Sequence, residues 1–181
     1  MNKAGILSVA GVLLLSVAGS ACAADTSLNI TFNGSLIDRV CESEQGDQPL
    51  EVTFPNRALK YFQLHSQTDV VSFFIGLKNC SSATKQKAVG LTFTFPQTVD
   101  VGSVTALKTS GDTGLVIVMV DSDGHPVKPG EVVNVGHIEY TGSGEGNVNR
   151  FPFGAYVMAP PGITVKAGSY SATATFTVSY Q

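Results

Sequence analysis

The sequence predicts an all-β chain folded as a β-sandwich of immunoglobulin-like kind, and three observations carry that expectation. Beyond residue 40, apolar residues recur at almost every second position, the period of a strand whose two faces differ. The stretches between these runs are short and rich in Gly, Pro, Asn, Asp or Ser, residues suited to tight turns, and the chain holds 19 Gly and 8 Pro. No long amphipathic helical pattern occurs, "PNRALKYFQLHS" being the one stretch where a helical turn competes. About seven short strands in roughly 140 residues fit a sandwich, with a closed barrel as the second choice.

Taken in order, the chain opens "MNKAGILSVAGVLLLSVAGSACA", with one Lys, an uncharged apolar run and small residues at Ala21 and Ala23. This reads as a secretory signal peptide, residues 1–23, cut after Ala23. The apolar run is shorter than the roughly 20 residues of a membrane-spanning helix. Gly-Ser-Ala ahead of Cys22 lacks the Leu of a lipid-attachment box. Cleavage would leave 158 residues, one domain, and would take Lys3 with it, moving the net charge from −3 to −4. Mild acidity argues against a nucleic-acid partner, which wants a concentrated basic face. Two cysteines would remain, Cys41 and Cys80. In an oxidising compartment such a pair is expected to form a disulfide, buried free thiols being the alternative.

The strand candidates follow as "PLEVTF", "VVSFFIGLKN", "AVGLTFTF", "GLVIVMV", "EVVNVGHIEY", "FPFGAYVMA" and "YSATATFTVSY". "GLVIVMV" is apolar at successive positions and is expected mid-sheet with both faces covered. No repeat or linker marks a second domain.

Catalysis needs a nucleophile, a base and a charge-stabilising group that converge, and the sequence nominates none. His65, His125 and His137 lie far apart, with no metal-ligand spacing among them and no cysteine left once the disulfide is assigned. Asp121, Asp123 and Glu131 in "DSDGHPVKPGE" invite a calcium reading, but the EF-hand spacing fails and an Asp-Gly turn is preferred. Gly142, Gly144 and Gly146 lack the third glycine of a dinucleotide fingerprint, and Ser143 is not in a Gly-x-Ser-x-Gly elbow. Asn29, Asn33 and Asn79 head Asn-x-Ser/Thr triplets, which matter only in a glycosylating host. No catalytic residue, metal site or cofactor is expected.

The two ends are the informative parts. In "GSYSATATFTVSYQ", Tyr170, Ala172, Ala174, Phe176, Val178 and Tyr180 occupy one parity and Ser or Thr the other, the mark of a strand with one face on the core. It runs to within one residue of Gln181, so no later segment is expected to cover its far edge, and an uncovered edge beside a core invites association. The front segment, "ADTSLNITFNGSLIDRV", has a matching row in Leu28, Ile30, Phe32, Gly34 and Leu36. Four residues lead from this arm into Cys41 and reach at most about 14 Å, against about 33 Å for a ten-residue strand. Folding back onto its own domain would need a tight turn with neither Gly nor Pro to make it, so pairing between molecules is favoured. A hairpin at Asn33-Gly34 is the alternative.

These features together resemble subunits of bacterial pili assembled by the chaperone–usher pathway, particularly those of P and type 1 pili. The resemblance rests on the alternating arm with central Gly34, the "DRVC" that follows it, Cys41 with Cys80, Gly168 fourteen places from the end, and penultimate Tyr180. It implies an incomplete immunoglobulin-like β-sandwich lacking its seventh strand, with an N-terminal donor-strand extension at 24–37 and a pilin domain at 38–181. Leu28, Ile30, Phe32, Gly34 and Leu36 would be the donor face. Gly168, Tyr170, Ala172, Ala174, Phe176, Val178, Tyr180 and Gln181 would form the acceptor groove and chaperone-binding edge, with the Gln181 carboxylate held by basic chaperone residues. The implied partners are neighbouring pilus subunits, a periplasmic chaperone and an outer-membrane usher, and the implied destination is the cell-surface fimbrium. "NGSLIDRVC" resembles the arm of P-pilus adaptors, which favours a minor adaptor over a main rod subunit. Two other readings stay open. One is a self-complete binding module using the loop 141–150, and the other is a periplasmic enzyme relying on a histidine.

Overall fold

A computed structural model describes residues 40–181. In chain order its elements are β1 (Glu42–Ser43), α1 (Tyr61–Leu64), β2 (Val71–Lys78), β3 (Ala88–Thr94), β4 (Thr98–Val101), β5 (Val104–Lys108), β6 (Val116–Val120), β7 (Val132–His137), β8 (Val148–Met158) and β9 (Thr175–Tyr180), with a 3₁₀ turn at Ser82–Thr84. The strands form two antiparallel sheets, ordered β1-β2-β8-β6-β5-β4 and β7-β3-β9. This is the expected immunoglobulin-like sandwich. The expected signal peptide, 1–23, and the expected donor arm, 24–37, lie outside the described residues.

The core between the sheets follows from period-two alternation. Val89, Leu91 and Phe93 of β3 face Ile75 and Leu77 of β2, Ile117 and Met119 of β6, and Phe151, Phe153 and Val157 of β8, all buried. Phe93 stands edge-on to Phe153 with ring centroids 5.2 Å apart, joining the sheets.

β6 is buried on both faces as expected. The cover on its outer side is a hairpin absent from the expected strands. Val116, Val118 and Val120 point away from the main core into a second cluster with Ala106 and Tyr156, against which Val99, Val101 and Val104 of β4–β5 pack. The hairpin turns at Gly102, whose φ of +63° suits a residue without a Cβ.

Three expected elements need correction. "PLEVTF" is no strand. Its alternation is visible, Val52 and Phe54 being half-buried between exposed Glu51 and Thr53, but among the described residues 49–57 make no backbone hydrogen bond. Pro49 and Pro55 bracket the segment, and neither has an N–H to offer a ladder. β8 begins at Val148, inside the expected loop. β9 begins at Thr175 rather than Tyr170, because residues 170–174 leave the β3 ladder and touch the other sheet's loop through the bridge Ser110↔Ser171.

Cys41 and Cys80 form a disulfide across 39 residues of sequence. Beside it lies Asn149, whose Oδ1 accepts from the N–H groups of Glu139 (2.8 Å) and Tyr140 (3.0 Å) and whose Nδ2 donates to the Tyr140 carbonyl (2.9 Å). That buried side chain ties the β7–β8 connection to the disulfide end of the sandwich. Cutting a loop closure of this size costs about 4 kcal/mol in chain entropy. The double variant Cys41→Ser/Cys80→Ser is therefore expected to unfold at much lower urea concentration than the oxidised chain, and an unchanged midpoint would contradict this.

Candidate functional site

β9 is the outer strand of the smaller sheet. It pairs with β3 from Val89↔Tyr180 to Thr94↔Thr175 and, among the described residues, with no other strand. Its inward row lies opposite residues that are almost wholly buried: Val178 beside Leu91 (0% exposed) and Phe176 beside Phe93 (1%). Yet Tyr170, Ala172, Ala174, Phe176, Val178 and Tyr180 are all only half-buried while packing against that same core. The row has a floor and one neighbour, and its outer side is open among the described residues.

The other sheet edges carry devices that discourage pairing. β1 is two residues long, contains Glu42 and is followed by Glu44, β4 carries Asp100, and β7 bears a bulge opposite Val89/Gly90 between Glu131 and Glu139. Charges, bulges and short length each blunt an edge. Residues 168–181 contain no charged side chain. The unprotected edge thus also lacks the charges found in or beside the others.

At its start, the row is held from two directions. Ser110 donates its N–H to the Ser171 carbonyl at 2.8 Å, and Phe54 lies with its ring centroid 6.4 Å from that of Tyr170. Phe54 thus packs beside the Tyr170 end of the row. That contact is not among the sequence expectations, although the Val52/Phe54 alternation signals it. Burial raises the phenol pKa of Tyr170 and of Tyr180 above the ordinary tyrosine range, so both stay neutral at physiological pH. At Gly168 a Cβ would lie 3.4 Å from Thr113 Cγ2, an ordinary contact distance, so the described fold does not itself demand glycine there. Gln181 exchanges both backbone hydrogen bonds with Ala88, each 2.9 Å. The expected donor residues Leu28, Ile30, Phe32, Gly34 and Leu36 lie outside the described residues.

The candidate chemical groups find local structural roles. Asp121 Oδ1 accepts from the N–H groups of Asp123 (3.0 Å) and His125 (2.8 Å), closing a turn at Gly124 with φ +83°. This is the expected Asp-Gly turn, and Glu131 instead faces Lys128 at 3.6 Å. His65 stacks on Tyr61 with centroids 4.5 Å apart, and His137 sits opposite Ala88 in the β3–β7 ladder. The glycine-rich loop is braced by Asn147, whose Nδ2 donates to the Thr141 carbonyl at 2.9 Å. Asn79 Nδ2 donates to Glu42 Oε2 at 2.8 Å.

Comparison with known proteins shows the family and the fold. A family model described as fimbrial protein matches residues 30–181. Protein PrsK of Escherichia coli is 37% identical over 179 residues, spanning 94% of this chain and 97% of that one. The fimbrial adapter PapK of Escherichia coli is 36% identical over the same coverage. Among solved structures, a chain of a chaperone–usher pilus superposes with TM-score 0.61 at 24% identity, covering 87% of this chain and 98% of that one. The P pilus rod subunit PapA gives TM-score 0.58 at 24% identity, covering 78% and 99%. These two establish the fold.

Proposed function

Because this chain belongs to the fimbrial protein family, and so is a structural subunit of a pilus rather than a member of an enzyme class, we propose that it polymerises by strand exchange, accepting a strand beside β9 and donating its own residues 24–37. The observation that carries this is the half-open, charge-free row from Tyr170 to Tyr180 along an unpaired edge. An incoming strand would complete the ladder and cover the row. Burying Leu28, Ile30, Phe32 and Leu36 contributes on the order of 6 to 12 kcal/mol before ordering costs, and each main-chain hydrogen bond adds about 1. The backbone supplies affinity and the alternate pockets supply selectivity. Arm and groove are different surfaces, so the contact runs head to tail without closing and generates a filament.

The described fold also favours a direction. Val40, the root of the arm, accepts a hydrogen bond from Ser81 N–H at 2.9 Å, and the Cys80 carbonyl accepts one from Gly142. Lys87 and Ala88 bond Ile138 and Gln181 nearby. Arm root and the Gln181 end of the groove therefore share one pole of the domain. An arm inserted parallel to β9 would crowd successive subunits at that pole. Antiparallel insertion places each new body at the Tyr170 end, so that bodies follow in line.

Export follows a route of signal-peptide removal after Ala23, capture of the open groove by a periplasmic chaperone, and handover at an outer-membrane usher. The likeness to a fimbrial adapter supports a minor adaptor position in the fibre. The reading is tested with the polymer itself. The purified chain is expected to give a ladder of denaturant-resistant multimers on unboiled gels, and an excess of synthetic peptide of residues 24–37 is expected to suppress it. A ladder indifferent to the peptide would contradict strand exchange.

A further inference from the structure

The short stretch just after the arm, residues 41–44, is held by little sheet. β1 has two residues, paired to Leu77 and Lys78. Further along the chain, residues 49–57 make no backbone hydrogen bond among the described residues. Against that background Glu44 is unusually well fixed. Its N–H donates to the Gly76 carbonyl at 2.8 Å. Its carboxylate receives Arg150 Nε at 3.1 Å on Oε2 and Arg150 Nη2 on Oε1, a two-pronged pair. Arg150 stands opposite Gly76 in the β2–β8 register, and a Cβ on Gly76 would overlap the Glu44 carboxylate. The glycine is the gap through which Glu44 crosses β2 to reach β8. Arg150 also draws the Glu44 carboxyl below its ordinary pKa, with Lys78 contributing.

We propose that Arg150 is a positioning residue for strand donation, clamping Glu44 across Gly76 so that the arm leaves the domain from a fixed root. The inference rests on the strand-exchange reading and adds a division of labour to it. The disulfide and the Ser81–Val40 hydrogen bond fix the chain at residues 40 and 41, the two-residue β1 ladder follows, and the Glu44–Arg150 pair adds a side-chain tie three residues past the disulfide that stiffens the root against rotation. The acceptor row from Tyr170 to Tyr180 packs on β3 and the core and does not touch this pair.

Two full-length backgrounds separate the roles. A chain with Phe32→Asp accepts only. A chain with residues 26–37 appended after Gln181 through a flexible linker has its own groove filled and donates only. Arg150→Ala is placed in each background, and the rate of denaturant-resistant heterodimer formation with the unmodified complementary background is read on gels. Donation is expected to fall about fivefold, the scale of a well-formed surface ion pair, with acceptance unchanged. The swap Glu44→Arg/Arg150→Glu is expected to restore it. Should Arg150→Ala not fold, Glu44→Gln is read in the same two assays. Unchanged donation, or an equal fall in donation and acceptance, would overturn the inference. If the two unmodified backgrounds form no heterodimer, the strand-exchange reading itself falls, and this inference with it.

Discussion

A chain carrying a second copy of residues 26–37 after Gln181, on a flexible linker, is expected to melt at least about 10 °C higher than the unmodified chain and to stay monomeric. A shift of that size needs only ~3–5 kcal/mol of net stabilisation in a domain of this length. Apolar burial offers on the order of 6 to 12 kcal/mol before the strand's ordering entropy is subtracted. The linker makes the pairing intramolecular, so no second molecule has to be immobilised. The inserted row would cover Phe176 and Val178, which already sit on the buried Phe93 and Leu91. Differential scanning calorimetry reads the shift and light scattering reads the mass. An unchanged transition, or continued polymerisation, would show that the edge at β9 is not waiting for this strand.

The second large effect is on growth of the fibre. Phe32→Asp is expected to block donation while leaving acceptance and folding intact, with fibre extension reduced more than about a hundredfold. The substitution loses the burial of a phenylalanine, roughly 1.5 to 3 kcal/mol, and sets an unpaired carboxylate in an apolar groove, which costs several kcal/mol more or forces its protonation. Gly34→Leu is expected to act by bulk where Phe32→Asp acts by charge, since a central glycine in such a row suits a shallow place in the groove. Extension is followed by electron microscopy of reactions seeded with unmodified fibres. Normal extension by both variants would contradict the assignment of the donor row.

How much of this was legible in the sequence depends on whether a residue's environment is set by its own neighbours or by distant ones. β2, β3, β7 and β9 could be read because each keeps its period over six residues or more, and β6 because it is a continuous apolar run. β4 and β5 run four and five residues about a turn at Gly102, too short for alternation to stand out. Residues 49–54 carry the alternation without the pairing, because inward-facing Val52 and Phe54 follow from packing whereas a ladder needs a neighbouring edge. The half-buried row along β9 was visible from its clean parity. The Phe54 contact and the Ser110 tie were not, since both arise from contacts made across 60 residues or more. Asn149 and Arg150 lie at the start of β8 inside a Gly- and Asn-rich stretch, and nothing local distinguishes them from turn residues. Their importance appears only when β2, β7 and the disulfide are brought around them.

The central claim is that β9 is completed by the front segment of another molecule. Isotope-mixed cross-linking measures this most directly. Chains carrying Asn33→Cys and Thr177→Cys are grown in light and heavy nitrogen, mixed, assembled and joined with a short bifunctional thiol reagent, and the linked peptides are weighed. Cross-links between light and heavy chains are the predicted result. Cross-links confined to pairs of the same isotope, formed within one copy, would contradict it.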